Sequence, residues 1–161
     1  MSSQYVFELK NIFIATVNFC RNPDFDSSKG AISINTKINV GYDYKDKKDL
    51  IVSVKAMLEE GDNMPFAFSV EAVGVFRFKT QPPEEIIDKV ARMNCAAIVF
   101  PYVREAVADL TRRSGLTPLH LQPANFVALY EALQSAKLKG SENGGLKAIK
   151  KTAAKASSKK N

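Results

Sequence analysis

Between residues 31 and 79, apolar side chains recur at every second position in three separate runs. From 31 to 44 the even positions are Ile32, Ile34, Thr36, Ile38, Val40, Tyr42 and Tyr44, and the odd ones Ser33, Asn35, Lys37, Asn39, Gly41 and Asp43. Neighbouring side chains of a strand point to opposite faces, so this run predicts a strand over 31–44 with one face buried. The runs 50–58 and 66–79 repeat the pattern through Leu50, Val52, Val54, Ala56 and Leu58, then Phe66, Phe68, Val70, Ala72, Gly74, Phe76 and Phe78. Polar turns at 43–49 and 60–63 join the three into a meander.

The segment 5–20 is also β-rich, but its apolar set drifts from Phe7 and Leu9 to Ile12 and Ile14, then to Val17 and Phe19. A bulge realigns such faces. Residues 21–30 have loop composition, with Phe25 set among polar neighbours. After Pro82 and Pro83 the period turns helical: Ile86, Ile87, Val90 and Met93 mark a short helix. A second helix is expected over 97–114, with Phe100, Val103, Val107 and Leu110 on one face and Gly115 as its stop. A third is expected over 124–137, carrying Phe126, Leu129, Tyr130 and Leu133. The proline-bounded stretch 116–123 between them reads as an extended connector.

Strands followed by helices predict an α+β domain, a four-stranded antiparallel sheet with helices packed on one side. That domain is expected to span residues 1–138. Residues 139–161 are Lys/Ala-rich, too poor in apolar side chains to order themselves, and predict a disordered tail. The whole chain carries a formal charge of +6, yet residues 1–136 hold 15 basic and 16 acidic side chains, so the excess sits in the tail. Lys147, Lys150, Lys151 and Lys155 are thus candidates for contact with nucleic acid or another polyanion, the alternative being a solvated tail that aids solubility.

Catalytic chemistry finds little support. His120 is the one histidine, and no nucleophile accompanies it at a recognisable spacing. Neither a phosphate-binding glycine loop, a zinc-protease motif nor a nucleophile elbow is present, so no enzyme and no cofactor are expected. Cys20 and Cys95 lack metal-ligand or redox spacing and read as small hydrophobes. No run approaches the length of a membrane span, and the opening Met1-Ser2-Ser3-Gln4 lacks the regions of a secretory signal, so a cytoplasmic location is expected. Val73, Val75, Ile51 and Met57 fall on the otherwise polar sheet face, which the helices cannot cover as well. Some of that apolar surface is expected to meet another molecule.

The run Phe100-Pro101-Tyr102-x-Arg104-Glu105, Gly115, then Pro118-x-x-Leu121-x-Pro123-x-Asn125-Phe126-x-x-Leu129 resembles the SecB protein-export chaperones in residue type and spacing. The strand order and the step Gly74-Val75-Phe76 agree with it. The resemblance implies a homotetramer, a dimer of dimers, whose apolar grooves hold unfolded or nascent polypeptides without ATP. Carried onto this sequence, the groove points to Phe19, Phe25, Ile32, Ile34, Phe126 and Tyr130; Phe126 and Tyr130 also fit an ordinary helix-to-sheet core. Family members that deliver preproteins to the SecA motor present acidic residues on the sheet surface. The corresponding positions here are Thr16, Cys20, Ala67 and Ser69, none charged, which argues against SecA docking and leaves room for service to a dedicated client such as the antitoxin of a toxin-antitoxin pair.

Overall fold

A computed structural model describes residues 5–45 and 48–138. Four antiparallel strands, β1 (Phe7–Arg21), β2 (Lys37–Lys45), β3 (Asp49–Leu58) and β4 (Phe66–Phe78), form one sheet in the order β1-β4-β3-β2. The helical part opens with α1 (Glu84–Lys89), passes through a π-helical turn (Val90–Cys95) and continues as α2 (Ala96–Arg113). A further helix, α3, spans 126–138. The chain divides into two compact units, the first ending at Phe126 and the second beginning at Val127. The expected tail, with Lys147, Lys150, Lys151 and Lys155, lies outside the described residues.

The alternation does what it predicts in the two central strands. Leu50, Val52, Val54, Ala56 and Leu58 of β3 and the even positions Phe66 to Ala72, Phe76 and Phe78 of β4 are all buried on one face. Over them lie Ile87, Ala91, Cys95, Val99, Val103, Val107 and Thr111, each four residues after the last and so on one side of the helical run. Gly74 lets that run approach closely, for a Cβ there would stand 2.7 Å from Val99 Cγ2.

Three expectations are corrected. First, β2 begins at Lys37 and not at residue 31. Lys37 already opposes Met57, and β3 ends one residue later, so residues 31–36 find no ladder partner. They run beside the sheet without strand pairing, and Ile32 and Ile34 are half-buried there. Second, β1 needs two bulges where one was expected: its register against β4 shifts between Leu9 and Asn11 and again between Ile14 and Thr16. Each shift inserts one residue and returns the apolar set to the same face. Third, the first two helices are not separate. No glycine or proline interrupts residues 84–100, and the backbone widens to a π turn at 90–95 instead of breaking.

Candidate functional site

The loop 22–30 is fastened at several points. Asn22 donates its backbone N–H to the Pro65 carbonyl and its side-chain amide to the Met64 carbonyl, both at 2.9 Å. Asp26 N–H donates to Asn63 Oδ1 at 2.9 Å, while Asn63 Nδ2 donates to the Asp26 carbonyl at 3.0 Å. Asp26 also caps the 3-10 turn Ser27–Lys29, accepting from Ser28 N–H and Ser28 Oγ. These Ser28 bonds hold its carboxyl below the usual carboxylate range. The loop therefore presents Phe25, half-buried, from a fixed backbone.

The connector after α2 is held as firmly. Thr111 Oγ1 is buried and accepts the Leu119 N–H at 2.9 Å. Arg104 Nε donates to the Leu121 carbonyl at 2.8 Å, and Arg21 Nη1 to the Ser114 carbonyl at 2.7 Å. Between this connector and the unpaired stretch before β2 lies a cavity of about 320 Å³, lined by Ile34, Asn35, Thr36, Ile38 and residues 119–122. Two stretches of chain without strand pairing thus bound the cleft, and the bonds from Thr111 and Arg104 fix its connector side.

The six predicted groove residues are not gathered in one pocket. Ile34 lines the cleft and packs on the core, and Phe19 packs there too, stacked on Phe66 with ring centroids 5.7 Å apart. Phe25 and Ile32 are half-buried without joining the core cluster, so they have apolar surface to give. Phe126 is buried, edge-on to Phe100 at 5.5 Å, and belongs to the core of the first unit. Tyr130 is half-buried on α3, in the second unit.

Sequence reasoning missed the flank of β1. Leu9, Ile14 and Val17 oppose Phe76, Ala72 and Val70, which puts them on the core side of the sheet, yet they are 39%, 39% and 47% exposed. Beside Ile14 a cavity of about 570 Å³ is lined by Tyr102, Arg104, Asp109, Arg112 and His120 among others. As the outermost strand β1 has one free edge. Drift of the apolar set along β1 could have shown which face these residues share, but not that the helices leave it bare.

On the other face the four positions expected to lack charge lie as a group toward the end of β1 and at the start of β4. Cys20 opposes Ala67, Asn18 opposes Ser69, and Thr16 opposes Glu71, which is itself opposite Lys55. The one acidic residue across from this group thus faces a cation. Among the described residues no helix is long and apolar enough to cross a membrane, and no group of histidine, cysteine or acidic residues is placed to hold a metal ion.

A sheet with a free edge, bare apolar flanks, an anchored loop and an anchored connector suits a protein that binds other chains. The family model for SecB, described as preprotein translocase subunit SecB, matches residues 2–137. The chain belongs to the SecB family. Its relatives include the protein-export protein SecB of Acidithiobacillus ferrooxidans, 31% identical over 137 residues, covering 81% of this chain and 91% of the relative. The SecB of an Azoarcus species is 37% identical over 112 residues, 70% of this chain and 73% of its own. Among solved structures, the SecB-like chaperone Rv1957 of Mycobacterium tuberculosis, in complex with a ChAD peptide from the HigA1 antitoxin, shares the fold. Its TM-score is 0.56 at 20% identity, over 73% of this chain and 87% of that one. SecB proteins are export chaperones and not an enzyme family.

Proposed function

We propose that this SecB-family protein is an ATP-independent holding chaperone of the cytoplasm, which binds unfolded polypeptides along apolar surface and keeps them from folding or aggregating. One observation carries the reading: Phe25, on its anchored loop, and Ile32, in the stretch without strand pairing, are half-buried yet outside the core, with the cleft at Ile34 and Ile38 nearby in sequence. Burial of such side chains by a client stabilises the complex by about 25 cal/mol per Å² of apolar area, without regard to client sequence. Repetition over several copies raises avidity further. The bare flank and free edge of β1 support assembly into the expected homotetramer, because an exposed strand edge of 15 residues is an aggregation hazard unless covered. The test is light scattering of an aggregation-prone enzyme diluted from denaturant. Stoichiometric amounts of this protein should suppress the signal without nucleotide, and undiminished aggregation would refute the reading.

A second reading, a chaperone dedicated to one client, is favoured by the uncharged group Thr16, Cys20, Ala67 and Ser69, which offers a basic partner such as the SecA tail little attraction. The antitoxin peptide bound by the SecB-like structural relative gives it a precedent. Comparison of affinities for several unrelated unfolded chains separates the two: similar values support a general holdase, and one value tighter by about 100-fold, or about 2.8 kcal/mol, a dedicated one.

A further inference from the structure

β1 and β2 are the two outermost strands of the sheet, and their edges are built differently. Two register shifts interrupt β1, whereas all nine residues of β2 pair with β3 without one. A regular outer strand turns the N–H and C=O of alternate residues away from its partner, and so offers a template to any extended chain. In β2 one such carbonyl is already taken. Arg92 Nη1 donates to the Val40 carbonyl at 2.7 Å. Its Nε donates to Asp88 Oδ1 at 2.8 Å, and its guanidinium lies over the Tyr42 ring, 5.4 Å from the centroid. Arg92 stands in the π-helical turn, and Val40 is near the middle of β2.

The planar guanidinium divides its donors between a carboxylate and a backbone carbonyl, with an aromatic ring behind it. The Arg92 and Asp88 side chains are 24% and 23% exposed, so this is not a loose surface pair. We infer that Arg92 closes β2 to strand addition, so that an unfolded chain is held beside this strand by side-chain burial and not by backbone pairing. The inference rests on the holding reading and specifies how a client of that reading is bound. A strand added to β2 would have to donate an N–H to the Val40 carbonyl and accept the Val40 N–H. Arg92 Nη1 stands where the first of those donors would come. Clients are brought close to this edge, because Ile38, two residues before Val40, lines the cleft. Backbone pairing at an open edge is also the step by which extended chains go on to aggregate, and a holding chaperone gains by denying it.

The test is residue-resolved hydrogen exchange of the full-length protein, with and without a short peptide of alternating valine and threonine. In the parent the peptide should leave exchange of the Val40 amide unchanged. In Arg92→Ala it should slow that amide about tenfold, as a new ladder bond does. A copy of the peptide N-methylated at alternate residues, which cannot form the ladder, should not slow it. Arg92→Lys keeps a charge beside Asp88 but lacks the fork, and should show a smaller slowing. Unchanged Val40 exchange in both variants would overturn the inference, and so would slowed exchange in the parent. Equal protection by the N-methylated copy would overturn it as well. Failure of the parent to bind any unfolded chain would refute the holding reading instead, and Val40 exchange in the two variants would still decide whether Arg92 closes the edge.

Discussion

Asn63 and Asp26 exchange two hydrogen bonds, at 2.9 and 3.0 Å, so that one asparagine side chain serves as the ladder partner of a loop residue 37 positions away. Asn63 adopts a φ of 54°, a left-handed conformation that asparagine tolerates better than most residues. Asn63→Ala loses both bonds and strains the backbone, and should lower stability by about 1–3 kcal/mol in urea titrations. Asn63→Gly relieves the backbone alone and should fall between that variant and the parent. In both, hydrogen exchange should quicken over 22–30, because the loop has lost its anchor. The Asp26 carboxyl, held low by Ser28, adds a sign: its contribution is present above the ordinary carboxylate value of 3.8 and is lost as pH falls through its lowered one.

Gly74 marks a close approach of helix to sheet. A methyl group there would meet Val99 Cγ2 and Phe76 Cε2, each at 2.7 Å. Gly74→Ala should cost about 1–3 kcal/mol by overpacking, measured as a drop in melting temperature.

Much of this fold is legible because β3 and β4 have sheet neighbours on both sides and the helices on one face. Their burial alternates through Leu50 and Phe76 as strictly as their hydropathy. At residues 31–36 the same alternation misleads: side-chain pattern reports faces, whereas strand pairing depends on where a distant partner ends, here at Leu58. The π turn at 90–95 was hidden for a related reason, since apolar spacing does not separate a widened turn from a break. Within the candidate site, Phe25 is half-buried in its loop and outside the core cluster, which its loop position suggested because an aromatic there has no local reason to be buried. The core burial of Phe126 and the bareness of Ile14 and Val17 depend on which strands the helices cover, and spacing along one chain does not contain that.

Thr111 joins α2 to the connector. Its hydroxyl bonds the Val107 and Ala108 carbonyls and accepts the Leu119 N–H. Thr111→Val keeps the shape and leaves that N–H without its acceptor, so stability should fall by about 1–3 kcal/mol, with Thr111→Ser restoring most of it. Urea titration of the three proteins checks this.

The two thiols should separate cleanly. Cys20 is exposed, whereas burial pushes the Cys95 thiol up to about 12. A thiol reagent at pH 8 should modify one cysteine per folded chain and two after denaturation. The raised value at Cys95 contributes stability that is fully present below the free thiol's 9.0 and is lost as pH rises through 9 toward 12.

Client capture by apolar surface outside the core is tested most directly by anisotropy of a labelled unfolded polypeptide titrated with the protein and with its Phe25→Ser, Ile32→Ser double variant. Neither residue belongs to the core cluster, so the melting temperature should change little. Affinity should fall about tenfold or more. An affinity equal to that of the parent, with the fold intact, would contradict the account.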